Sequence, residues 1–252
     1  MSFTLKTFNF TSDIHVDFYK SKINPKKLPE YFMEGIPQAE TLIVAGDLAN
    51  NNEDSIRLLE ILLNFWKTVI LVDGNHDWYG DYRKTIGSGR WARLKKYFQS
   101  EKQLIFLGSD AGIFQSSDGF KIAGSNMWYD IESPDVLNSV MIYMNDGRMI
   151  GVGKIEELSR KEFIFYNKVI DDVDLFVSHV PLADQFCRLS GYEDKCYLRK
   201  VRLSEKKVYL SGHMHEGYSM SFESGIFLSK PIGYSYEGKR FGFFDMEKKN
   251  FL

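Results

Sequence analysis

Two runs of aliphatic and β-branched residues, Thr41-Leu42-Ile43-Val44-Ala45 and Thr68-Val69-Ile70-Leu71-Val72, each stop at a polar block containing glycine. Unbroken apolar runs of this length predict strands buried on both faces. Between them, Ile56, Leu59, Leu63 and Trp66 recur at helical spacing over residues 53–66, with Asn51 or Asn52 as the N-cap. A strand-helix-strand unit predicts parallel pairing through a right-handed crossover. Val173-Asp174-Leu175-Phe176-Val177 and Lys207-Val208-Tyr209-Leu210-Ser211 repeat the strand pattern, and a helix from residue 154 to about 170 precedes the first of them.

Elsewhere the pattern shortens. Residues 112–115 and 120–123 flank Ser-Ser-Asp-Gly, and residues 219–222 and 226–229 flank Glu-Ser-Gly; both predict hairpins. Phe241-Gly242-Phe243-Phe244 supplies a last strand. Residues 79–97 and 126–153 carry no clear period and are expected to wall or cover a site. No repeat, low-complexity tract or linker divides the chain, so residues 1–252 are expected to form one domain.

Composition narrows the class. Hydrophobic residues at 44% and charged residues at 26% match an ordinary globular protein, and no apolar run approaches a membrane span. The opening residues lack the basic, apolar and small-residue succession of an export signal, which predicts a cytoplasmic protein. Cys187 and Cys196 are then expected as free thiols. A net charge of -2 argues against a long nucleic-acid track, leaving only a local basic patch open.

The chemistry lies in the histidines. All five fall in short blocks of metal-ligand residue types: Asp13-Ile14-His15, Gly74-Asn75-His76-Asp77, Ser178-His179, and Gly212-His213-Met214-His215, with Gly46-Asp47 adding a carboxylate. Asp13-x-His15 or Gly46-Asp47 alone says little. Four small or polar residues directly after an apolar strand, or two histidines so close after another, are poor core material. The predicted strands end at these blocks, on the edge where open α/β sheets bind ligands. The set points to a metal-dependent enzyme.

In this order the blocks resemble the calcineurin-like metallophosphoesterase superfamily, over a span from Asp13 to His215. The resemblance implies an α/β fold, a two-sheet β-sandwich core flanked by helices on both sides, and two divalent ions at the strand ends. Manganese comes first among Mn, Fe, Zn, Ni and Mg, because carboxylate and imidazole suit such ions. It further implies that Asp13, His15, Asp47 and His215 hold one ion, and that Asp47, Asn75, His179 and His213 hold the other, with Asp47 bridging. Such a pair lowers the pKa of a shared water and neutralises charge developing on phosphoryl oxygens. His76 would be the general acid for the leaving oxygen, with Asp77 orienting its ring and keeping it cationic; a fifth metal ligand or a plain loop histidine is the alternative.

The chain departs from the protein Ser/Thr phosphatase branch. Gly46-Asp47 continues Leu48-Ala49-Asn50 rather than into Asp-Arg-Gly, and the fourth block position is Asp77 rather than Glu. Gly124-Ser125-Asn126-Met127-Trp128, Met144-Asn145-Asp146 and Pro231-Ile232-Gly233-Tyr234 are similar to uncharacterised bacterial and phage-type phosphoesterases. Trp128 is either site wall or core, Asp17 is expected as a solvated turn carboxylate, and Arg83, Arg90 or Arg93 could enter the pocket. The expected function is hydrolysis of a small phosphodiester or phosphomonoester, a nucleotide among the candidates. A nuclease, or a scaffold on the same fold, is the competing reading.

Overall fold

A computed structural model describes residues 2–19, 25–79, 89–142, 144–182, 197–234 and 240–251. Cys187, Cys196 and Arg83 lie outside them. Twelve strands among the described residues form two six-stranded sheets. The first contains β1 (Thr7–Thr11), β2 (Thr41–Ala45), β3 (Thr68–Val72), β4 (Leu104–Phe106), β11 (Gly242–Asp245) and β12 (Asn250–Phe251), in the order β12-β11-β1-β2-β3-β4. The second contains β5 (Phe114–Gln115), β6 (Lys121–Ser125), β7 (Leu175–Ser178), β8 (Lys207–Leu210), β9 (Tyr218–Phe222) and β10 (Gly225–Ser229), in the order β5-β6-β7-β8-β10-β9. Parallel pairing runs through the middle of both, β1 to β4 in one and β6-β7-β8-β10 in the other.

Alternation along each strand divides its side chains between two interfaces. Ile43, Ala45, Ile70 and Val72 meet Leu175, Val177, Val208 and Leu210 between the sheets. Their neighbours Leu42, Val44, Val69 and Leu71 pack outward in one cluster with Leu28 and Phe32 of α1 (Leu28–Phe32), Leu58, Leu59 and Leu62 of α2 (Asn52–Phe65) and Trp91 and Leu94 of α3 (Arg90–Tyr97). On the far side, Phe165, Tyr166 and Val169 of α6 (Val152–Val169) cover Ala123, Phe176, Tyr209 and Phe227. The result is the helix-sheet-sheet-helix sandwich expected from the sequence. Burying each such Val, Leu or Ile side chain contributes about 1.5–3 kcal/mol.

Asn51 is the α2 N-cap, one of the two candidates, its side chain accepting from the Asp54 N–H at 2.9 Å. Several other details differ from the sequence reading. The fully buried face of α2 is Ser55, Leu58, Leu59 and Leu62, while Ile56 and Leu63 are only partly covered. β11 is followed by a further short strand, β12, which pairs with it antiparallel. β1 and β4 also emerge, their patterns too mixed or too short to stand out. Within the unplaced stretches lie α3, α4 (Pro134–Ile142) and α5 (Asp146–Met149). Trp128 is fully buried beside Val140, Ile155 and Val180, so it is core and not site wall. Both internal hairpins form as expected.

Candidate metal centre

Five strands deliver the candidate ligands to one edge. Asp13 and His15 follow β1, Asp47 follows β2, Asn75 and His76 follow β3, His179 follows β7, and His213 and His215 follow β8. The two sheets are stitched there by a parallel bridge between Ser12 and Pro231. Asp13, His15, Asp47 and His179 are buried to within 1% of full coverage. Three overlapping groups have ligand atoms all within 4.8 Å of one another: Asp13 with His15 and His215, Asp13 with Asp47 and His179, and His15 with Asp47 and His76.

The backbone bends sharply to do this. Asp13 (φ 49°), His15 (φ 44°), Asp47 (φ 60°), His213 (φ 70°) and His215 (φ 53°) all lie in the left-handed region, where a non-glycine residue is uncommon. Gly46, at φ 83°, and Gly74 permit the close approach of their loops. A Cβ on Gly46 would sit 2.6 Å from the His179 Nδ1, and one on Gly74 would sit 2.1 Å from the Asp47 Oδ1.

Hydrogen bonds aim the donor atoms. His179 Nδ1–H donates to the Ala45 carbonyl at 2.8 Å, which turns Nε2 toward the centre. The Asn75 amide donates from Nδ2 to Asp146 Oδ1 at 2.9 Å and to Tyr79 Oη at 3.0 Å, which turns Oδ1 toward the same point. Asp146 in turn accepts from the hydroxyls of Tyr79 and Tyr129. The His213 backbone N–H reaches both Asp13 carboxylate oxygens at 3.1 Å.

This donor set fits a cation. His179 Nε2 and Asn75 Oδ1 stand 2.9 Å apart, and Nε2 lies 3.4 Å from Asp47 Oδ2. Three atoms with lone pairs facing one another need a positive centre, either a proton or a metal ion. The same holds where His15 Nε2 and His215 Nε2 stand 3.1 Å apart, with Asp47 Oδ2 at 3.7 Å from the first and Asp13 Oδ1 at 3.4 Å from the second. Two such places share the Asp47 carboxylate.

The sequence profile described as calcineurin-like phosphoesterase matches residues 6–217. The chain belongs to that family. No curated protein matches it by sequence. Among solved structures, a phosphopantetheinyl hydrolase from Mycobacterium tuberculosis aligns with a TM-score of 0.67 at 16% identity, covering 93% of this chain and 95% of that one. The vacuolar protein sorting 29 of Cryptosporidium parvum aligns with a TM-score of 0.39 at 12% identity, covering 94% of this chain and 83% of that one. The calcineurin-like phosphoesterases depend on divalent metal, which agrees with the donor set.

Charge at this centre is organised around Asp47. Burial opposes charge on His179, but the Asp47 carboxylate outweighs it and pushes the imidazole up to about 10. In the metal-free chain a proton therefore occupies the place a cation would take. Burial also works against the Asp47 carboxylate, yet His179 and His76 beside it hold it well below the usual range. Burial drives His15 well below its ordinary value, leaving a neutral ring.

One family expectation does not hold. Asp77 makes no hydrogen bond to the His76 ring. Its carboxylate is buried and accepts the backbone N–H groups of Gly74 and Asp47, both at 2.9 Å, and of Leu48 at 3.1 Å. It ties the loop after β3 to the loop after β2. The ring partner of His76 is Asn50, whose Oδ1 lies 2.7 Å from Nδ1. Asn50 is itself oriented by donating from Nδ2 to Asp17 Oδ2 at 2.8 Å, so Asp17 is no idle turn carboxylate. Sequence reasoning missed Asn50 because it considered that position only as a missing Asp-Arg. It also missed the orienting role of Asp146, although the Met-Asn-Asp block had singled that residue out. Arg90 is buried and donates to the carbonyls of His76, Tyr79 and Ala49, so it braces the loops and does not face a substrate. Arg93 sits exposed on α3.

A cleft of about 150 Å³ opens over the centre, lined by Asp47, Asn75, His76, His213 and His215 with Tyr79, Tyr197 and Tyr234 around them. Met144 and Asn145 also line it, so part of the stretch 126–153 does form a wall.

Proposed function

We propose that this chain is a binuclear metal-dependent phosphoesterase acting on a small phosphodiester or phosphomonoester. The observation that carries the reading is the pair of facing donor sets, His15 with His215 and His179 with Asn75, on either side of Asp47. Asp13, His15, Asp47 and His215 would hold one cation, and Asp47, Asn75, His179 and His213 would hold the other. Mn is the first metal to test, ahead of Fe, Zn, Ni and Mg. Two cations there supply Lewis-acid charge and activate water. Residues 1–252 act as one domain in this reading, supported by ligands drawn to a single centre from Asp13 to His215.

The chain's own residues do the rest. His15 and His179, buried and oriented, exclude water from the back of the site. His76 lines the cleft and donates Nδ1–H to Asn50, which leaves Nε2 to deliver a proton to the leaving oxygen. The Asp17-Asn50 pair fixes that tautomer. No arginine lines the small cleft among the described residues, so a doubly charged terminal phosphate finds no bidentate clamp there. That favours a singly charged diester. Comparing kcat/KM for bis-nitrophenyl phosphate and nitrophenyl phosphate with added Mn tests the reading. The diester should be hydrolysed at least as well. A tenfold preference for the monoester, about 1.4 kcal/mol of transition-state binding, overturns the diesterase assignment, and no turnover of either ester overturns the hydrolase.

A further inference from the structure

A second cleft, of about 700 Å³, continues from the small one past His76, Tyr79, Asn145 and Tyr234. Its size falls in the range that takes a small organic ligand, about 300–1,000 Å³. Two exposed aromatic rings stand at its rim, Phe18 at 44% and Tyr234 at 39% exposure, with ring centroids 4.9 Å apart. Tyr234 is anchored by stacking on His15 at 4.9 Å. Met149 adds apolar surface, and Arg148 adds a cation. Among the described residues the Arg148 guanidinium meets no carboxylate, and its Nη2 donates to the Asn145 side-chain oxygen at 2.6 Å. Aromatic faces, a thioether and an uncompensated guanidinium in one cleft recognise a body that is flat and apolar at one place and anionic at another.

The position of this cleft says which part of a substrate it takes. His76 is the proton donor in the function proposed above, so the alcohol that leaves must lie on the His76 side, and His76 lines both clefts. Resting on that reading, we propose that the large cleft is the leaving-group site, and that the substrate is a phosphate ester of an aromatic alcohol bearing a second anionic group. In the reaction, water oxygen bonds to phosphorus as the phosphorus–alcohol oxygen bond breaks. The proton from His76 goes to the departing alkoxide, and the attacking water releases a proton to solvent, from which His76 is recharged; the products are the free anionic alcohol and phosphate, or from a diester the remaining monoester. A nucleotide, with its base and a second phosphate, is one member of this class.

Two phenols of matched acidity test it, 4-propylphenol and 3-(4-hydroxyphenyl)propanoate, which differ by a carboxylate at similar size. Each is offered as its phosphate monoester and as its methyl phosphodiester, with Mn present. The carboxylated ester should show kcat/KM at least tenfold above its neutral partner, and Arg148→Gln should bring that ratio close to one. Titrating the two free phenols into metal-free protein by NMR reads the same cleft without turnover. The anionic phenol should bind more tightly, and Arg148→Gln should erase the difference. A ratio near one in the unmodified protein, or one that survives Arg148→Gln, overturns the cleft assignment while leaving the phosphoesterase standing. No hydrolysis of any of the four esters overturns the phosphoesterase and this proposal with it.

Discussion

Replacing Asp77 by Asn separates a loop brace from a ring-orienting carboxylate. The amide keeps one acceptor oxygen, enough for the Gly74 and Asp47 N–H groups now on Oδ2, and turns an NH₂ group against the Leu48 N–H. A buried donor left without a partner costs about 1–3 kcal/mol. At pH 8 that loss is offset, because burial and the Asp47 carboxylate push Asp77 up to about 7 and the native carboxylate is ionised there at a cost the amide avoids. Near pH 4, where the native carboxyl is still protonated in the fold, the loss stands at about 1–3 kcal/mol, a fall in Tm of about 2–12 °C for a chain of this size. The pH dependence carries the sign. The folded value lies above the ordinary 3.8, so the folded metal-free chain holds the proton longer and loses stability as pH rises from 3.8 through about 7. The amide has no such slope. In chelator, the Tm gap between the two proteins should narrow between about pH 5.5 and pH 8. With Mn, the variant should bind metal more weakly, because the Asp47 N–H that fixes the ligand loop has a weaker acceptor. An unchanged Tm at acidic pH, together with a rate loss confined to substrates with poor leaving groups, would refute the brace and restore Asp77 as the ring partner.

Other substitutions read the remaining parts. Asp47→Ala should lower occupancy at both metal positions by elemental analysis, where the unmodified protein holds close to two Mn per chain; one tightly held ion, fully kept by the variant, counts against a shared carboxylate. His76→Ala should keep its metal and lose about 10²–10⁴-fold in rate on poor leaving groups, less on nitrophenyl esters, and Asn50→Ala should show a milder form of the same pattern; equal losses on good and poor leaving groups speak against a proton donor. Asp146→Ala frees the Asn75 amide, and metal affinity should fall about 10–100-fold; unchanged binding by competition with a chromogenic chelator contradicts the orienting role. Metal must displace the proton on His179, raised to about 10 from an ordinary 6.5, so affinity should climb by up to about tenfold per pH unit between 6.5 and 10; a flat profile by calorimetry goes against it.

The strands that carry the ligands were legible because each is a continuous apolar run, buried on both faces, that breaks at a glycine. The gathering of the histidine and carboxylate blocks at one edge was legible because each block directly follows such a strand. Less visible was anything set by contact between distant loops. Asn50 and Asp77 lie in neighbouring blocks, and only the fold decides which of them meets the His76 ring. Trp128 reads the same from sequence whether it faces a site or a core. The face of α2 was misjudged by one position in places, because Ser55 is small enough to be buried and Ile56 tolerates partial cover. Arg148 gave no signal at all, since a lone arginine on a short helix has meaning only beside the cleft it faces.

The left-handed turns at Asp13, His15, Asp47, His213 and His215 set function against durability. Each holds the chain where glycine or asparagine would rest more easily, at a cost of about 1–3 kcal/mol apiece. Together these costs compare with the whole margin by which a folded domain exceeds its unfolded chain, about 5–15 kcal/mol. Selection for stability alone would replace these residues first, and replacing them would dismantle the metal centre. In the function proposed above the return on that cost is metal binding, and the metal-loaded protein should then be the form in which this fold is durable.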